Sequence, residues 1–109
     1  MTKTVQHADT DVFTAIAHPV RRQLLDMLAQ TEHSVSELSA PFAMSRPAIS
    51  QHLRVLLDAG LVTENRQGRE RRYQLQAERL LEVQRWLLSY QHFWTKRLRA
   101  LGSYLEKQA

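Results

Sequence analysis

Apolar residues recur along this chain in short helical phases separated by polar breaks. Val12, Phe13 and Ile16 form the first phase, and Thr10 or Asp9 is placed to cap a helix there. His18-Pro19 interrupts the pattern; Pro19 suits the first turn of a second helix, where the missing N–H has no partner to lose. Val20, Leu24, Leu25 and Leu28 then repeat at helical spacing. Thr31-Glu32-His33-Ser34 reads as a polar loop. A short third helix follows, capped by Ser36, with Leu38 and Phe42 inward and Pro41 keeping it short.

Ser45 caps the next helix, about 45–59, and Pro47 lies in its first turn. Ile49, Leu53, Leu56 and Leu57 make one face, and Gly60 supplies a left-handed stop. The stretch from about 61 to 75 reads as a hairpin around Gly68. With Gln67-Gly68 as a two-residue loop, Glu64 faces Arg71 and Val62 faces Tyr73, both favourable cross-strand pairs. From about 77 to 107 the pattern is one long helix, with Gly102 its one weak point. Leu80, Val83, Leu87, Tyr90, Trp94, Leu98, Leu101 and Leu105 form its stripe. Trp86, Phe93 and Tyr104 broaden that stripe, and Leu81 and Leu88 sit apart.

Composition narrows the class. The 109 residues suit a single domain, 1–109, and 43% hydrophobic with 24% charged residues is the balance of a folded chain. No apolar run approaches the roughly 20 residues of a membrane span, and the start lacks the form of an export signal. With no cysteine, disulfides, thiolate metal sites and cysteine nucleophiles are excluded, and the expected compartment is the cytoplasm. Glycine-rich phosphate loops, nucleophile elbows and paired-His motifs are missing too, so the chain is not read as an enzyme and no cofactor is expected.

The net charge is +4, unevenly placed. Residues 1–45 carry three basic and five acidic groups, whereas 46–72 carry six Arg against Asp58, Glu64 and Glu70. A basic middle points to a polyanion. On a helical wheel Pro47, Ser50, Gln51 and Arg54 lie opposite the apolar face, at about 100–200° from Ile49. Small groups let a helix enter a major groove about 12 Å wide, and Ser, Gln and Arg can read base edges. An ordinary solvated helix has a similar composition. The hairpin favours the reading helix: Arg66, Arg69, Arg71 and Arg72 crowd four guanidinium groups around one turn, which a DNA backbone or minor groove neutralises, while Glu64 and Glu70 temper the repulsion and leave a solvated hairpin as the other reading. The parts are those of a winged helix-turn-helix, mainly α with a small β-hairpin and a long C-terminal helix.

The stretch Met44-Ser45-Arg46-Pro47-Ala48-Ile49-Ser50-Gln51-His52-Leu53-Arg54-Val55-Leu56-Leu57-Asp58-Ala59-Gly60-Leu61-Val62 resembles the recognition region of ArsR-type (ArsR/SmtB) bacterial repressors. Ala17-His18-Pro19-Val20-Arg21-Arg22-Gln23-Leu24-Leu25 is similar to that family's second-helix signature, and Arg66-Gln67-Gly68-Arg69 with Tyr73 to its wing. The resemblance implies a homodimeric repressor acting on double-stranded DNA. It assigns base and groove contacts to Ser45, Arg46, Pro47, Ser50, Gln51 and Arg54. The wing contacts fall to Arg66, Arg69, Arg71 and Arg72. The family's sensing sites do not carry over. Ser34-Val35-Ser36-Glu37-Leu38-Ser39 holds no thiolate where many members bind metal, and His92 stands alone in the C-terminal helix. No two of His7, His18, His33, His52 and His92 have ligand spacing on one helix, so no metal is expected. His52, flanking the core face, is assigned to packing or a phosphate.

A small body cannot cover the broad apolar surface of the last helix, so a second copy is expected to cover it. The expected interface comprises Phe13, Ile16, Val83, Leu87, Tyr90, Trp94, Leu98 and Leu101. A wrap around its own core, or a ligand pocket among the aromatic residues, are the other readings of that helix. For the whole chain the alternatives are a winged helix used for protein assembly and a sequence-independent DNA-binding module. A small-molecule or protein effector is left open.

Overall fold

The computed structural model describes residues 10–108. The order is α1 (Val12–Ala15), α2 (Pro19–Leu28), β1 (His33–Ser34), α3 (Val35–Ser39) and α4 (Arg46–Asp58). Then come β2 (Val62–Gln67), β3 (Glu70–Leu75), a 3₁₀ turn (Ala77–Arg79), α5 (Leu80–Leu88) and α6 (Gln91–Gln108). The expected fold class holds: helices dominate, and α3 and α4 are followed by a β wing and a long C-terminal helical arm.

One core joins these elements. Val12 and Ala15 of α1, Leu24 and Leu28 of α2, Leu38 of α3, and Ile49, Leu53 and Leu56 of α4 are buried together. Leu61, Val62 and Tyr73 bring the sheet into the same cluster. The inward positions of α2 and α4 are thus those that the helical periodicity predicts. Leu57 and Phe42 pack at the margin. Ser45 accepts a hydrogen bond from the Ala48 amide at 3.3 Å, with Pro47 in the first turn, and Gly60 leaves α4 at φ +75°.

Several expectations need correction. The α1 cap position is Asp11, not Thr10; the alternative cap Asp9 lies outside the described residues. Ser34, not Ser36, caps α3: its hydroxyl accepts from the Glu37 amide, and the Glu37 carboxylate accepts from the Ser34 amide. His33 and Ser34 are not loop but an edge strand, pairing with Tyr73 and Arg72. The hairpin is therefore part of a three-stranded antiparallel sheet ordered β1-β3-β2.

The hairpin register also differs by two residues. Gln67 pairs with Glu70, Glu64 with Tyr73 and Val62 with Leu75, so the loop is Gly68-Arg69. Gly68 has φ +65° while Arg69 has no positive φ, a pattern suited to a type II′ turn. A slip of two keeps every side chain on its expected face; a slip of one would have inverted the sheet.

The long helix is broken at Ser89-Tyr90 rather than weakened at Gly102, which lies inside α6. The Ser89 hydroxyl donates to the Trp86 carbonyl at 2.6 Å, taking the acceptor that a continuing helix would offer to Tyr90. The Tyr90 amide turns instead to Leu87. No α6 residue is buried, and the molecule measures 60 × 42 × 22 Å with a radius of gyration of 18.4 Å. A compact chain of this size has about 13 Å. α6 does not wrap the core, whereas Leu80 and Val83 of α5 pack at its margin.

Candidate nucleic-acid interface

Core packing of Ile49, Leu53 and Leu56 fixes which side of α4 faces outward. Ser45, Arg46, Pro47, Ser50, Gln51 and Arg54 are all exposed. The Arg54 guanidinium lies 3.5 Å from Asp58 one turn on, in solvent. At the start of α4 Pro47 has no N–H and Ser45 already takes the Ala48 amide, so the exposed Arg46 guanidinium is the group there that can meet an anion.

The sheet carries the wing against this face. A cleft of about 460 Å³ runs between them, lined by Arg46, Ser50 and Arg54 of α4 and by Arg66, Arg69 and Arg71 of the wing. Leu57 and Tyr73 belong to the same lining, as do Glu64 and Glu70. Five guanidinium groups against two carboxylates make the cleft cationic. Arg66 and Arg71 lie directly opposite one another across β2 and β3, two like charges with Glu64 beside Arg71.

Glu64 is already engaged. It stands 3.7 Å from Arg71 and accepts from the Tyr73 hydroxyl at 3.4 Å. The Glu64–Arg71 attraction survives the register correction as a diagonal neighbour. Burial, with the Glu64 charge beside it, pushes the Tyr73 phenol up, so it stays a neutral donor.

Ser45, Pro47 and Gln51 lie outside the cleft lining but on the exposed surface of α4. Arg72 differs from the other wing arginines. Neighbours along β3 alternate, so Arg72 points away from Arg71 and the cleft. Its guanidinium reaches Glu70 at 3.1 Å, Glu32 at 3.5 Å and Glu37 at 3.6 Å, leaving the side chain only 21% exposed. The Glu70 hydrogen bond and these carboxylates hold its pKa above the ordinary value. Glu37 is held below the usual carboxylate range, chiefly by the Ser34 amide and then by His33. None of these three glutamates is a candidate site residue in the sequence reading. Ser34-Val35-Ser36-Glu37 carries the capping-box spacing that identifies one of them.

The expected interface residues divide in two. Phe13, Ile16 and Val83 pack partly on the body, and the Phe13 ring meets Trp86 edge-on at 5.6 Å. Tyr90, Trp94, Leu98 and Leu101 are exposed, Leu98 to 66%. Leu87 is half-buried. A recess beside α6 is lined by Leu88, Gln91, His92, Thr95, Lys96 and Arg99 and by none of the aromatic residues. His52 contacts Arg21 and His18 on α2. Among the described residues no three His, Asp or Glu side chains gather as a metal ligand set, and no helix is long and apolar enough to cross a membrane.

Comparison with known proteins adds an independent line. The sequence profile described as "Bacterial regulatory protein, arsR family" matches residues 18–64, from the start of α2 into the wing. The chain is 32% identical over 80 residues to the transcriptional repressor SdpR of Bacillus subtilis, covering 73% of this chain and 89% of that one. It is 35% identical over 94 residues to the HTH-type transcriptional regulator Rv2034 of Mycobacterium tuberculosis, covering 86% and 85%. Among solved structures, an ArsR-like transcriptional regulator from Rhodococcus sp. RHA1 superposes with a TM-score of 0.68 at 33% identity, covering 88% of both chains. A structure described as a possible transcriptional regulator for arsenical resistance gives 0.66 at 41% identity, covering 79% and 85%.

Proposed function

The chain belongs to the ArsR family of DNA-binding transcriptional regulators, and on that premise we propose that it represses transcription as a homodimer bound to a palindromic operator. The relatives named above are regulators rather than enzymes. In this reading α4 enters the major groove: Ser50, Gln51 and Arg54 meet base edges, and Ser45, Arg46 and Pro47 meet the groove wall and backbone. Arg66, Arg69 and Arg71 follow the backbone or the minor groove beside it. The observation that carries the proposal is the arginine-lined cleft joining α4 to the wing. Its cross-strand Arg66–Arg71 pair concentrates positive charge that Glu64, beside Arg71, offsets only in part.

The second copy covers the exposed face of α5 and α6, where Tyr90, Trp94, Leu98 and Leu101 stand without a partner surface in the single chain. The Phe13–Trp86 contact sets α1 beside α5, which supports including α1 in the same assembly face. Two-fold pairing sets two reading helices about 34–36 Å apart, one turn of DNA, which requires a palindrome. We place this regulator in the cytoplasm, with access to DNA.

Footprinting on the DNA upstream of its own gene tests the reading. Protection of one palindromic segment, lost steeply as salt rises, is the expected result. Uniform protection of all DNA would mean sequence-independent binding, and no protection would remove the DNA-binding assignment from this surface. Repeating the footprint with cell extract would expose an effector as loss of protection.

A further inference from the structure

A second polar cluster lies behind the reading helix, away from the cleft. Arg21 of α2 donates through Nε to the Ala15 carbonyl at 2.7 Å and through Nη2 to the Thr14 carbonyl at 3.1 Å, closing the end of α1. Its Nη1 stands 3.2 Å from Nδ1 of His52 on α4. A guanidinium has no acceptor, so Nδ1 must accept and the His52 proton rests on Nε2. His18, the cap of α2, likewise accepts at Nδ1 from the Val20 amide at 3.1 Å. The two imidazole rings lie 4.5 Å apart. One guanidinium therefore ties α1, α2 and the reading helix together.

The azimuth of α4 depends on this tie. Ile49, Leu53 and Leu56 pin the core side, while His52 lies on the flank opposite Ser50, about 60° from Ile49 on the wheel. A hydrogen bond there resists roll of the helix about its axis, and roll moves Ser50 and Gln51 relative to base edges. We propose that Arg21 is a positioning residue for the reading helix and that operator binding weakens when His52 takes a second proton. This rests on the DNA-binding reading above.

The chemistry follows from the groups facing His52. From α2 these are His18 and Arg21; α1 contributes carbonyls already bound to Arg21. The carboxylates of the neighbouring elements are engaged elsewhere: Asp11 at the start of α1 accepts from the Thr14 hydroxyl, Glu37 is held by His33 and Arg72, and Glu64 by Arg71 and Tyr73. Among the described residues no carboxylate pairs with His18, Arg21 or His52. A proton on Nδ1 removes the acceptor and sets a second cation beside Arg21 with no counter-charge. Partial burial, then His18 and Arg21, hold the His52 pKa below its ordinary value.

Two variants test this by fluorescence anisotropy, using a duplex carrying the footprinted palindrome at constant salt. Between about pH 7.5 and 5.5 the wild type should lose about two- to tenfold in affinity, ten being the ratio for an imidazole of ordinary pKa. His52→Asn keeps an acceptor near the Nδ1 position but does not titrate, so it should retain affinity at neutral pH and lose this acid-dependent part. A His52→Asn profile matching wild type overturns the proposal. Arg21→Lys should weaken binding about three- to tenfold with an unchanged salt slope; a slope reduced by about one would make Arg21 a phosphate contact instead. If the wild type binds no duplex, the DNA-binding reading fails. The nitrogen-15 shifts of the His52 ring in free protein then still decide the tie: Nε2–H in wild type supports it, and Nδ1–H overturns it.

Discussion

Arg72 of the wing lies 3.6 Å from Glu37, the same carboxylate that accepts the Ser34 amide at 3.0 Å and completes the cap of α3. One side chain thus both starts a helix of the helix-turn-helix and holds the wing at a set distance from it. Glu32 and Glu70 complete the cage around the guanidinium. A phosphate contact through Arg72 would have to break pairs that the fold already satisfies.

Arg72→Ala should therefore weaken operator binding about three- to tenfold while leaving its salt slope unchanged, because the wing moves but no phosphate contact is removed. Arg69→Ala should instead lower the slope by about one. Titrations at several salt concentrations compare the two. Equal slope changes would make Arg72 a DNA contact.

Gln51→Ala is expected to relax base preference, by about 1–3 kcal/mol at one position of each half-site. Arg69→Ala should weaken all sequences alike. Competition against a panel of single-base operator variants separates reading from anchoring.

Ser45→Ala removes the cap of α4 and should cost about 1 kcal/mol of stability, read as a shift in urea midpoint at constant slope. Ser45→Asp retains the cap and should recover stability. Its negative charge at the groove wall should still lower DNA affinity.

Leu98→Glu places a charge at the centre of the exposed face of α6, where the side chain supports none of the single chain's core. Sedimentation should show a folded monomer with unchanged helicity and greatly reduced operator affinity. An unchanged oligomeric state would remove this face from the assembly.

Acid should loosen the wing anchor. Glu37 has a depressed pKa in the folded chain, so its stabilising effect is present above the ordinary carboxylate range and is lost as pH falls through the lowered value. Glu37→Gln keeps a capping-box acceptor but not the charge. Its thermal midpoint should vary less with acid than that of wild type.

The sequence by itself determined the helices whose apolar spacing is regular. Pro19 and Pro47 in first turns, the Ser45 cap and the Gly60 stop are local preferences that no distant contact opposes. Periodicity also determined which side of α4 is outward and, through strand alternation, which faces the wing residues share. Tertiary contact decided the remainder. A strand of only two residues, His33-Ser34, has no periodicity of its own and exists because β3 offers it hydrogen bonds. Both Gln67-Gly68 and Gly68-Arg69 are permissible loops with the same facial pattern; the pairing of the whole strand selected the second. Four clustered arginines looked alike in composition. Alternation in β3, with Glu32 and Glu37 arriving from elsewhere in the fold, turned Arg72 into an anchor and left Arg66, Arg69 and Arg71 in the cleft. Charge is a property of the residue, but whether that charge is already satisfied depends on what folding brings beside it.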